Sequence, residues 1–482
     1  MLFNSPEFAL FFPTVFGLYW LLSPDRVRYQ NLLIILASYV FYGWWDLRFL
    51  GLIAFSTLLD FFVGIGLSKT DNQGQRKSLL YLSILTNIGL LGVFKYYNFF
   101  ADNLVAVLSS IGLKPNIRSL NIILPVGISF YTFQTLSYTI DVYRNKLVPT
   151  RDITAFAAFV SFFPQLVAGP IERATSLLPQ FYKKRNFSYL RSKDALFQIL
   201  WGFFKKLVIA DNCAIYVNHI FDHSNELSGT SLFVGAVLFA FQIYGDFSGY
   251  SDMAIGFSRW LGFDLTRNFA FPYFSRDVAE FWRRWHISLS TWFRDYVYIP
   301  LGGSHGGRGA KIRNTFVIFI TSGFWHGASW TFIVWGLLNA LYFLPLQLTN
   351  SNRRHLGELG VGSVMNTVKE IGQMILTFLL ITLAWIFFRA NSLTHAFAYV
   401  REIFSNPFSG LPEFMMSRHS NMLYLLLAFF LIIEWTGRNR EYGLEYLVSK
   451  SKFSSYLVPY LVIMISVLFM SLDIQEFIYF QF

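Results

Sequence analysis

The chain has 482 residues, of which 54% are hydrophobic, 20% aromatic and only 14% charged. A soluble domain carries roughly 25% charged residues, so this composition excludes an ordinary soluble protein. The net charge of +11 does not indicate nucleic-acid binding, because aromatic platforms for single strands need a solvated groove. Lysines and arginines in cytoplasmic loops beside anionic lipid account for it instead. Cys213 is the only cysteine, which excludes disulfides and cysteine-based metal sites within the chain.

Apolar runs recur along the whole sequence, and several are shorter than the roughly 20 residues of a full membrane span. We therefore predict an all-α integral membrane protein with about a dozen transmembrane, re-entrant and interfacial helices around a polar tunnel. The opening run lacks the basic residues and cleavage pattern of a signal peptide, so we expect it to remain as a helix. The candidate runs are Phe8–Leu22, Asn31–Trp45, Phe49–Leu67, Leu79–Phe94, Ile123–Ile140, Ala195–Ile209, Phe233–Ile243, Phe316–Leu348, Met374–Phe388, Met422–Glu434 and Tyr456–Met470.

The basic loops predict the orientation of the chain in its membrane. "PDRVRYQ" separates the first two runs and "SKTDNQGQRKS" separates the third and fourth, whereas the intervening "WWDLRF" is nearly neutral. Because basic loops face the cytoplasm, the N-terminus is expected on the outer side. The same rule places the C-terminus outside, one run after the last basic loop, Arg438–Lys452.

The run Phe156–Ala168 lies between two basic loops that are both predicted to be cytoplasmic. It should therefore enter the membrane and return rather than cross it. Its "FFPQLVAGP" contains two prolines and a glycine, which is typical of a broken segment. No linker or internal repeat divides the sequence, so we predict a single domain over residues 1–482.

The densest group of polar residues is "EFWRRWHISLSTWFRDYVYIPLGG", from Glu280 to Gly303. As one helix it would pair Glu280 with Arg284, four residues apart. A basic stripe beside tryptophans could hold the phosphates of a nucleotide-like donor at the membrane interface. The alternative is an anchor helix that binds lipid headgroups. One stripe would contain Trp282, Trp285 and Leu289, and the other Arg283, Ser290 and Arg294.

His326 lies in the apolar stretch "ITSGFWHGASWTFIVWG", flanked by Gly323 and Gly327. A histidine in an apolar segment is usually a buried residue hydrogen-bonded to a neighbour. Here the flanking glycines let a substrate or another backbone come close, and a second histidine, His286, also lies among tryptophans. We therefore regard His326 as the leading candidate for a functional residue.

Other polar residues interrupt apolar runs. "FQIYGDFSGYSDMAIG" contains Asp246 and Ser248, and "ILPVGISFYTFQ" contains Gln134 after a break at Pro125 and Gly127. Irregular backbone at membrane depth occurs where it is buried in protein or lines a watery cavity. These residues therefore predict a polar tunnel around His326. No pair of histidines or carboxylates has ligand spacing on one helix, so we predict no metal site.

The motifs "FWRRWHISLSTWFRDYVYIPLGG", "GFWHG", "DFSGYSDMAIG", "ILPVGISFYTFQ" and "ASYVFYGWW" resemble the membrane-bound O-acyltransferase (MBOAT) superfamily, and within it the bacterial branch that acetylates exopolysaccharides such as alginate. The resemblance extends over the chain and implies a catalytic core at about residues 120–348. It implies that His326 is the essential catalytic histidine and that His286 is a second family residue. The final "FIYFQF" resembles the aromatic ending of a small companion protein in a related D-alanylating branch, whose tyrosine carries the acyl group. By this resemblance the tail, residues 477–482, carries acetyl on Tyr479.

The resemblance implies an O-acetyltransferase that takes acetyl from cytoplasmic acetyl-CoA, binds no resident cofactor and relays the group outward to a polysaccharide. Arg283, Arg284, Ser290, Arg294, Asp246, Ser248 and Gln134 are candidates for donor binding or for the tunnel lining. A separate extracytoplasmic SGNH-type acyltransferase is the expected partner, besides acetyl-CoA and membrane lipid and without nucleic acid. Two alternatives remain open: the same relay serving peptidoglycan or another wall polymer, and a channel or transporter without chemistry.

Overall fold

The computed structural model describes residues 1–117, 119–357, 364–407, 410–471 and 475–478. Within those ranges the regular elements are all helices, which confirms the predicted all-α class. In the part of the chain that the structure describes, six helical segments are long and apolar enough to cross a membrane: Leu47–Ser68, Gln73–Ser110, Gly229–Trp260, Trp330–Leu348, Thr367–Arg389 and Arg418–Thr436. The chain is therefore a multi-pass membrane protein.

The contacts group the chain into two compact units. The first unit contains Met1–Ser192 and Phe257–Thr266. The single domain over residues 1–482 stays a prediction. The helices of the first unit are α1 (Pro6–Leu21), α2 (Val27–Gly43), α3 (Leu50–Ser68), α4 (Gln73–Leu91), α5 (Tyr97–Ser110), α6 (Ile128–Tyr143), α7 (Ile153–Ser161), α8 (Phe163–Leu166) and α9 (Ala174–Leu177).

The second unit contains Lys193–Gly256 and Arg267–Phe482. Its helices are α10 (Tyr189–Phe203), which begins in the first unit, α11 (Asp211–Asp222), α12 (Gly229–Trp260), α13 (Val278–Arg284), α14 (Ile287–Phe293), α15 (Arg308–His326), α16 (Trp330–Leu348), α17 (Val364–Arg389), α18 (Leu393–Ser405), α19 (Arg418–Thr436), α20 (Glu445–Ser449) and α21 (Ser454–Phe469). Wider π-helical turns interrupt the regular helices at Gly92–Tyr96, Phe204–Ala210 and Arg294–Tyr298.

The predicted break after Phe156 is confirmed. The side chain of Asp152 caps α7 by accepting from the amides of Thr154 and Ala155. The helix ends at Ser161 and α8 starts at Phe163, directly before Pro164. Both short helices are almost wholly buried. Whether this segment returns to the same side of the membrane stays a prediction.

Three predicted element boundaries are wrong. Phe316–Leu348 is not one run, since α15 ends at His326 and α16 begins at Trp330. Phe233–Ile243 is a fragment of the 32-residue α12, which continues through the polar "DFSGYSD". Pro125 and Gly127 precede α6 rather than interrupt it: Gly127 has φ +75°, a left-handed conformation that glycine adopts without strain, and α6 starts at the next residue.

Candidate active site

His326 is the last residue of α15 and is buried. The chain turns through Gly327 and re-enters a helix at α16, which Ser329 caps by accepting a hydrogen bond from the amide of Thr331. The turn is tight because α15 and α16 approach backbone to backbone. A Cβ at Gly323 would lie 2.2 Å from the carbonyl oxygen of Phe332. The sequence predicted that a substrate or another backbone comes close to this glycine, and in the structure it is the backbone of α16.

Aromatic rings surround the imidazole of His326. Its ring centroid lies 5.2 Å from that of Trp335 in α16 and 5.2 Å from that of Phe388 in α17, both at steep angles. Trp325, the preceding residue, lies at 4.9 Å. These contacts fix the imidazole in an apolar chamber formed by three helices.

His286 lies at the break between α13 and α14, which corrects the interpretation of Glu280–Gly303 as one helix. Its φ of +44° is unusual for a residue with a side chain. This conformation turns the chain, and the ring of His286 is buried against Phe247 of α12, with ring centroids 4.7 Å apart and planes at 90°. Such a residue in the left-handed region is a common feature of functional sites.

Asn268 determines which nitrogen of His286 bears the proton. The Oδ1 of Asn268 accepts hydrogen bonds from the amide and the hydroxyl of Ser288, at 3.3 and 2.9 Å. Because an amide N–H can only donate, this atom is the oxygen. His286 Nδ1 lies 3.0 Å from the same oxygen and must therefore carry its hydrogen, which leaves Nε2 with a lone pair.

The Nε2 of His286 has no hydrogen-bond partner among the described residues. Burial lowers the pKa of His286 to about 3, because a charged imidazolium is unfavourable away from water. A neutral ring in this tautomer accepts a hydrogen bond through Nε2 but cannot donate one there. Such a ring can orient a hydrogen-bond donor or accept a proton, but it cannot polarise a carbonyl through Nε2.

Trp325 connects the two histidines. Its ring centroid lies 6.1 Å from that of His286 and 4.9 Å from that of His326. The tertiary structure thus brings together two residues that are 40 positions apart in the sequence.

The segment before Tyr479 is also buried at this site. Phe477 and Ile478 are almost fully buried, and the ring of Phe477 lies 6.1 Å from Phe247, which contacts His286. The amide of Ile478 donates to Oδ2 of Asp246 at 2.6 Å. Tyr479 and the rest of the predicted tail lie outside the described residues.

The predicted basic residues have separate contacts. Arg283 donates to the carbonyls of Asn352 and His355, at 2.8 and 2.9 Å, and Arg294 binds the adjacent Asp295. Ser290 donates to the carbonyl of Trp285. Because the helix breaks at His286, the expected stripe does not form, and donor binding by these residues stays a prediction.

The predicted pair of Glu280 and Arg284 is confirmed at 2.8 Å, and Glu280 also binds Arg276 at 3.0 Å.

The other polar candidates have different surroundings. Asp246 forms an ion pair with Lys206, and Ser248 lines a small cavity together with Asn268. That cavity, of about 10 Å³, has room for about one water molecule. Gln134 belongs to the first unit, where it donates to the carbonyl of Phe159 at 2.8 Å.

Sequence reasoning missed Asn268 and Lys206. Asn268 lies in a loop without a recognisable motif, and only the fold brings it to His286. Lys206 stands inside the apolar run Ala195–Ile209, and a charge at that depth is a signal that could have marked it. In the described part of the chain, no group of three His, Cys, Asp or Glu residues is arranged to hold a metal ion.

The two buried histidines both contact Trp325 in a multi-pass helical membrane protein. The MBOAT, membrane-bound O-acyltransferase family, model matches residues 34–386, and the chain belongs to this family. It is therefore a membrane-bound acyltransferase.

The chain is similar to several groups of bacterial proteins. It is 40% identical to the "Probable alginate O-acetylase AlgI" of Pseudomonas aeruginosa over 440 residues, and this match covers 89% of this chain and 81% of that protein. It is 36% identical over 426 residues to the "Peptidoglycan O-acetyltransferase" of Helicobacter pylori, which covers 82% of this chain and 78% of that protein. A "Teichoic acid D-alanyltransferase" of Streptococcus thermophilus is 31% identical over 232 residues, covering 45% of this chain and 55% of that protein.

Proposed function

We propose that this protein is an O-acetyltransferase that takes acetyl from cytoplasmic acetyl-CoA and relays it through Tyr479 to an extracytoplasmic polysaccharide. The burial of Phe477 and Ile478 beside Phe247, whose ring contacts His286, is the observation that carries the proposal. Tyr479 follows Ile478 in the sequence, and the attachment of the preceding segment beside Phe247 supports a carrier role for Tyr479.

The relay consists of two balanced transfers. The Tyr479 hydroxyl attacks the thioester carbonyl, a C–O bond forms, the C–S bond breaks, and the hydroxyl proton leaves with CoA as its thiol. In the second transfer, which the proposed partner acyltransferase catalyses on the way to the sugar, a hydroxyl group attacks the tyrosyl ester. A new C–O ester bond forms, the bond between the acetyl carbon and the Tyr479 oxygen breaks, and the proton of the attacking hydroxyl passes to the phenolate. A phenol of pKa about 10 is a better leaving group than a sugar hydroxyl, so the acetyl group remains activated between the steps.

His326 is the proposed base. It takes the phenol proton in the first transfer and returns it to the leaving thiolate, a role typically worth about 10²–10⁴-fold in rate. His286 accepts a hydrogen bond through its unprotonated Nε2 and so orients the hydroxyl group or the proton path. Its low pKa keeps that nitrogen available across the neutral pH range.

An alginate-like exopolysaccharide is the first candidate acceptor, because the alginate O-acetylases match this chain over most of its length. Peptidoglycan is the second, supported by the Helicobacter pylori relative. An SGNH-type protein outside a bacterial inner membrane is the proposed final transferase. The alternative of a channel or transporter without chemistry is set aside, because the chain belongs to an acyltransferase family.

The test is intact-mass analysis of the terminal peptide after purified protein is incubated with acetyl-CoA. We expect one acetyl adduct on the wild type and none on Tyr479→Phe, which keeps the ring. His326→Ala should lower the rate of adduct formation by at least about 100-fold. A wild-type peptide that stays unmodified at saturating donor without acceptor contradicts the relay.

Acceptor identity needs a second measurement. Cells labelled with radioactive acetate are fractionated into exopolysaccharide and peptidoglycan, and Tyr479→Phe cells are the matched control. Label lost from the exopolysaccharide alone supports the first acceptor, and label lost from peptidoglycan alone supports the second. Co-purification with no extracytoplasmic protein, together with full transfer by the isolated chain, contradicts the proposed partner.

A further inference from the structure

A buried cluster of three charges lies beneath the tail segment, residues 475–478. The Nζ of Lys206 lies 2.8 Å from a carboxylate oxygen of Asp211 and 2.8 Å from one of Asp246. All three side chains are almost inaccessible to solvent. Two carboxylates and one ammonium leave a formal excess of one negative charge, which is costly in an apolar interior unless further donors reach it.

The tail segment donates a hydrogen bond to one carboxylate of the cluster and accepts one from the lysine. The amide of Ile478 donates to Oδ2 of Asp246 at 2.6 Å, and Lys206 donates to the carbonyl of Gln475 at 3.3 Å. Asp246 therefore bonds the tail through one oxygen while its other oxygen faces Lys206. Hydrogen bonds to ionised groups are shorter and stronger than neutral ones.

A second contact holds the side chain of Gln475. Asn218 of α11 donates to its Oε1 at 3.5 Å, and Arg389 at the end of α17 donates to Oδ1 of Asn218 at 3.0 Å. The tail segment is thus bound at both ends, at residues 475 and 478, with Phe477 packed 5.3 Å from the ring of Tyr250 between them.

We infer that Lys206, Asp211 and Asp246 form a charged latch that holds the tail segment by its backbone and thereby positions Tyr479 at the histidine site. The inference rests on the proposed function, in which Tyr479 carries acetyl. Because Asp246 immediately precedes Phe247, whose ring contacts His286, the latch ties the tail to the same stretch of α12 that forms the wall of the histidine site. These three are positioning residues, since they act through Tyr479.

The first variant pair acts on the donor in the tail. Ile478→Pro removes the amide hydrogen that Asp246 accepts, and Ile478→Val keeps it with an aliphatic side chain of similar shape. Amide hydrogen–deuterium exchange of the terminal peptide, in the full-length protein, reports on attachment of the tail. We expect Ile478→Pro to accelerate exchange and to slow adduct formation by at least about tenfold each, and Ile478→Val to change neither by more than about threefold.

The second pair acts on the acceptor. Asp246→Ala removes the latch carboxylate and leaves Lys206 balanced by Asp211. Asp252→Ala, also on α12, removes the carboxylate paired with Lys205 at 2.5 Å, and no hydrogen bond joins it to the described part of the tail. Asp246→Ala should behave as Ile478→Pro, and Asp252→Ala should leave exchange of the terminal peptide unchanged.

The two proposals fail in different ways. Unchanged exchange and adduct formation in Ile478→Pro overturn the latch, whether or not Asp246→Ala folds, and leave the relay standing. Faster exchange in Ile478→Pro with no acetyl adduct on any protein, the wild type included, supports the latch as an attachment device and overturns the relay. Faster exchange with adduct formation at the wild-type rate overturns the positioning role.

Discussion

Asp60 in the first unit and Asp246 in the second are both carboxylates buried within apolar helices, but their partners differ. Asp60 accepts from three neutral donors on neighbouring helices: the hydroxyl of Ser83, that of Thr139 at 2.8 Å, and the amide of Asn87 at 2.9 Å. Asp246 lies against a lysine and accepts from the tail. A buried polar group satisfied by fixed helices stabilises their packing, whereas a charged group shared with a terminal segment can position that segment.

The largest effect is expected for Lys206→Met. Removing the ammonium leaves Asp211 and Asp246 without a cation, and breaking a buried ion pair from one side costs about 3–5 kcal/mol of unfolding free energy. Thermal and denaturant unfolding in detergent measure the loss. The control is Lys184→Met, whose exposed pair with Asp25 is worth at most about 1 kcal/mol. Equal losses in the two variants contradict a charged cluster in the second unit.

Asp60→Asn tests the other side of the comparison. The added amide hydrogens face three donors, so we expect a loss of about 1–3 kcal/mol in unfolding free energy, with unchanged acetyl transfer per folded molecule. Thr57→Val is the matched control, because the Thr57 hydroxyl returns to the carbonyl of Ile53 in its own helix. Loss of transfer in folded Asp60→Asn protein would show that the first-unit network also serves the chemistry.

Asn268→Ala should lower the rate of CoA release by about 10- to 100-fold, since it frees the tautomer and orientation of His286. Asn268→Asp should restore part of the rate at neutral pH, and its rate of CoA release should fall as the pH becomes acidic. An adjacent carboxylate raises the pKa of His286 from its value of about 3, so Nε2 becomes protonated as the pH falls through the raised pKa.

The pH profile separates this role from a structural one. In the wild type burial is the cause of the low pKa of His286. His286 therefore stays neutral between pH 5 and 9 and causes no change of the rate with pH in that range. Folded Asn268→Ala protein with the wild-type rate, or an Asn268→Asp profile identical to the wild type, contradicts the positioning of His286 by Asn268.

The smallest difference is expected between two glycines at close helix contacts. A Cβ at Gly64 would meet the end of the Tyr138 side chain at 2.6 Å, whereas one at Gly323 would meet the Phe332 carbonyl at 2.2 Å. A side chain can move and a backbone carbonyl cannot, so Gly64→Ala should cost about 1 kcal/mol and Gly323→Ala about 1–3 kcal/mol. Thermal unfolding compares them, and the opposite order would contradict the tight α15–α16 turn.

Much of the site could be predicted from residue type, because a polar residue in an apolar run is costly and therefore informative. His286, His326 and Asp246 were identified in this way. The basic stripe was wrong because a helical pattern was extended through His286, where a left-handed residue ends it. The hydrogen bonds of Asn268 to His286 and of Ile478 to Asp246 were not predictable, since they join residues far apart in the sequence.

The sequence by itself determined the class of the protein, its apolar helices and the residue types that carry chemistry, because composition and short-range periodicity are local properties. Only the tertiary structure decided that Asn268 sets the tautomer of His286, that Trp325 lies between the two histidines, and that Asp246 binds the amide of Ile478. The pairing of Asn268 with His286 closes a loop of 18 residues and that of Asp246 with Ile478 one of 232 residues, and nothing in the local pattern of either partner specifies the other.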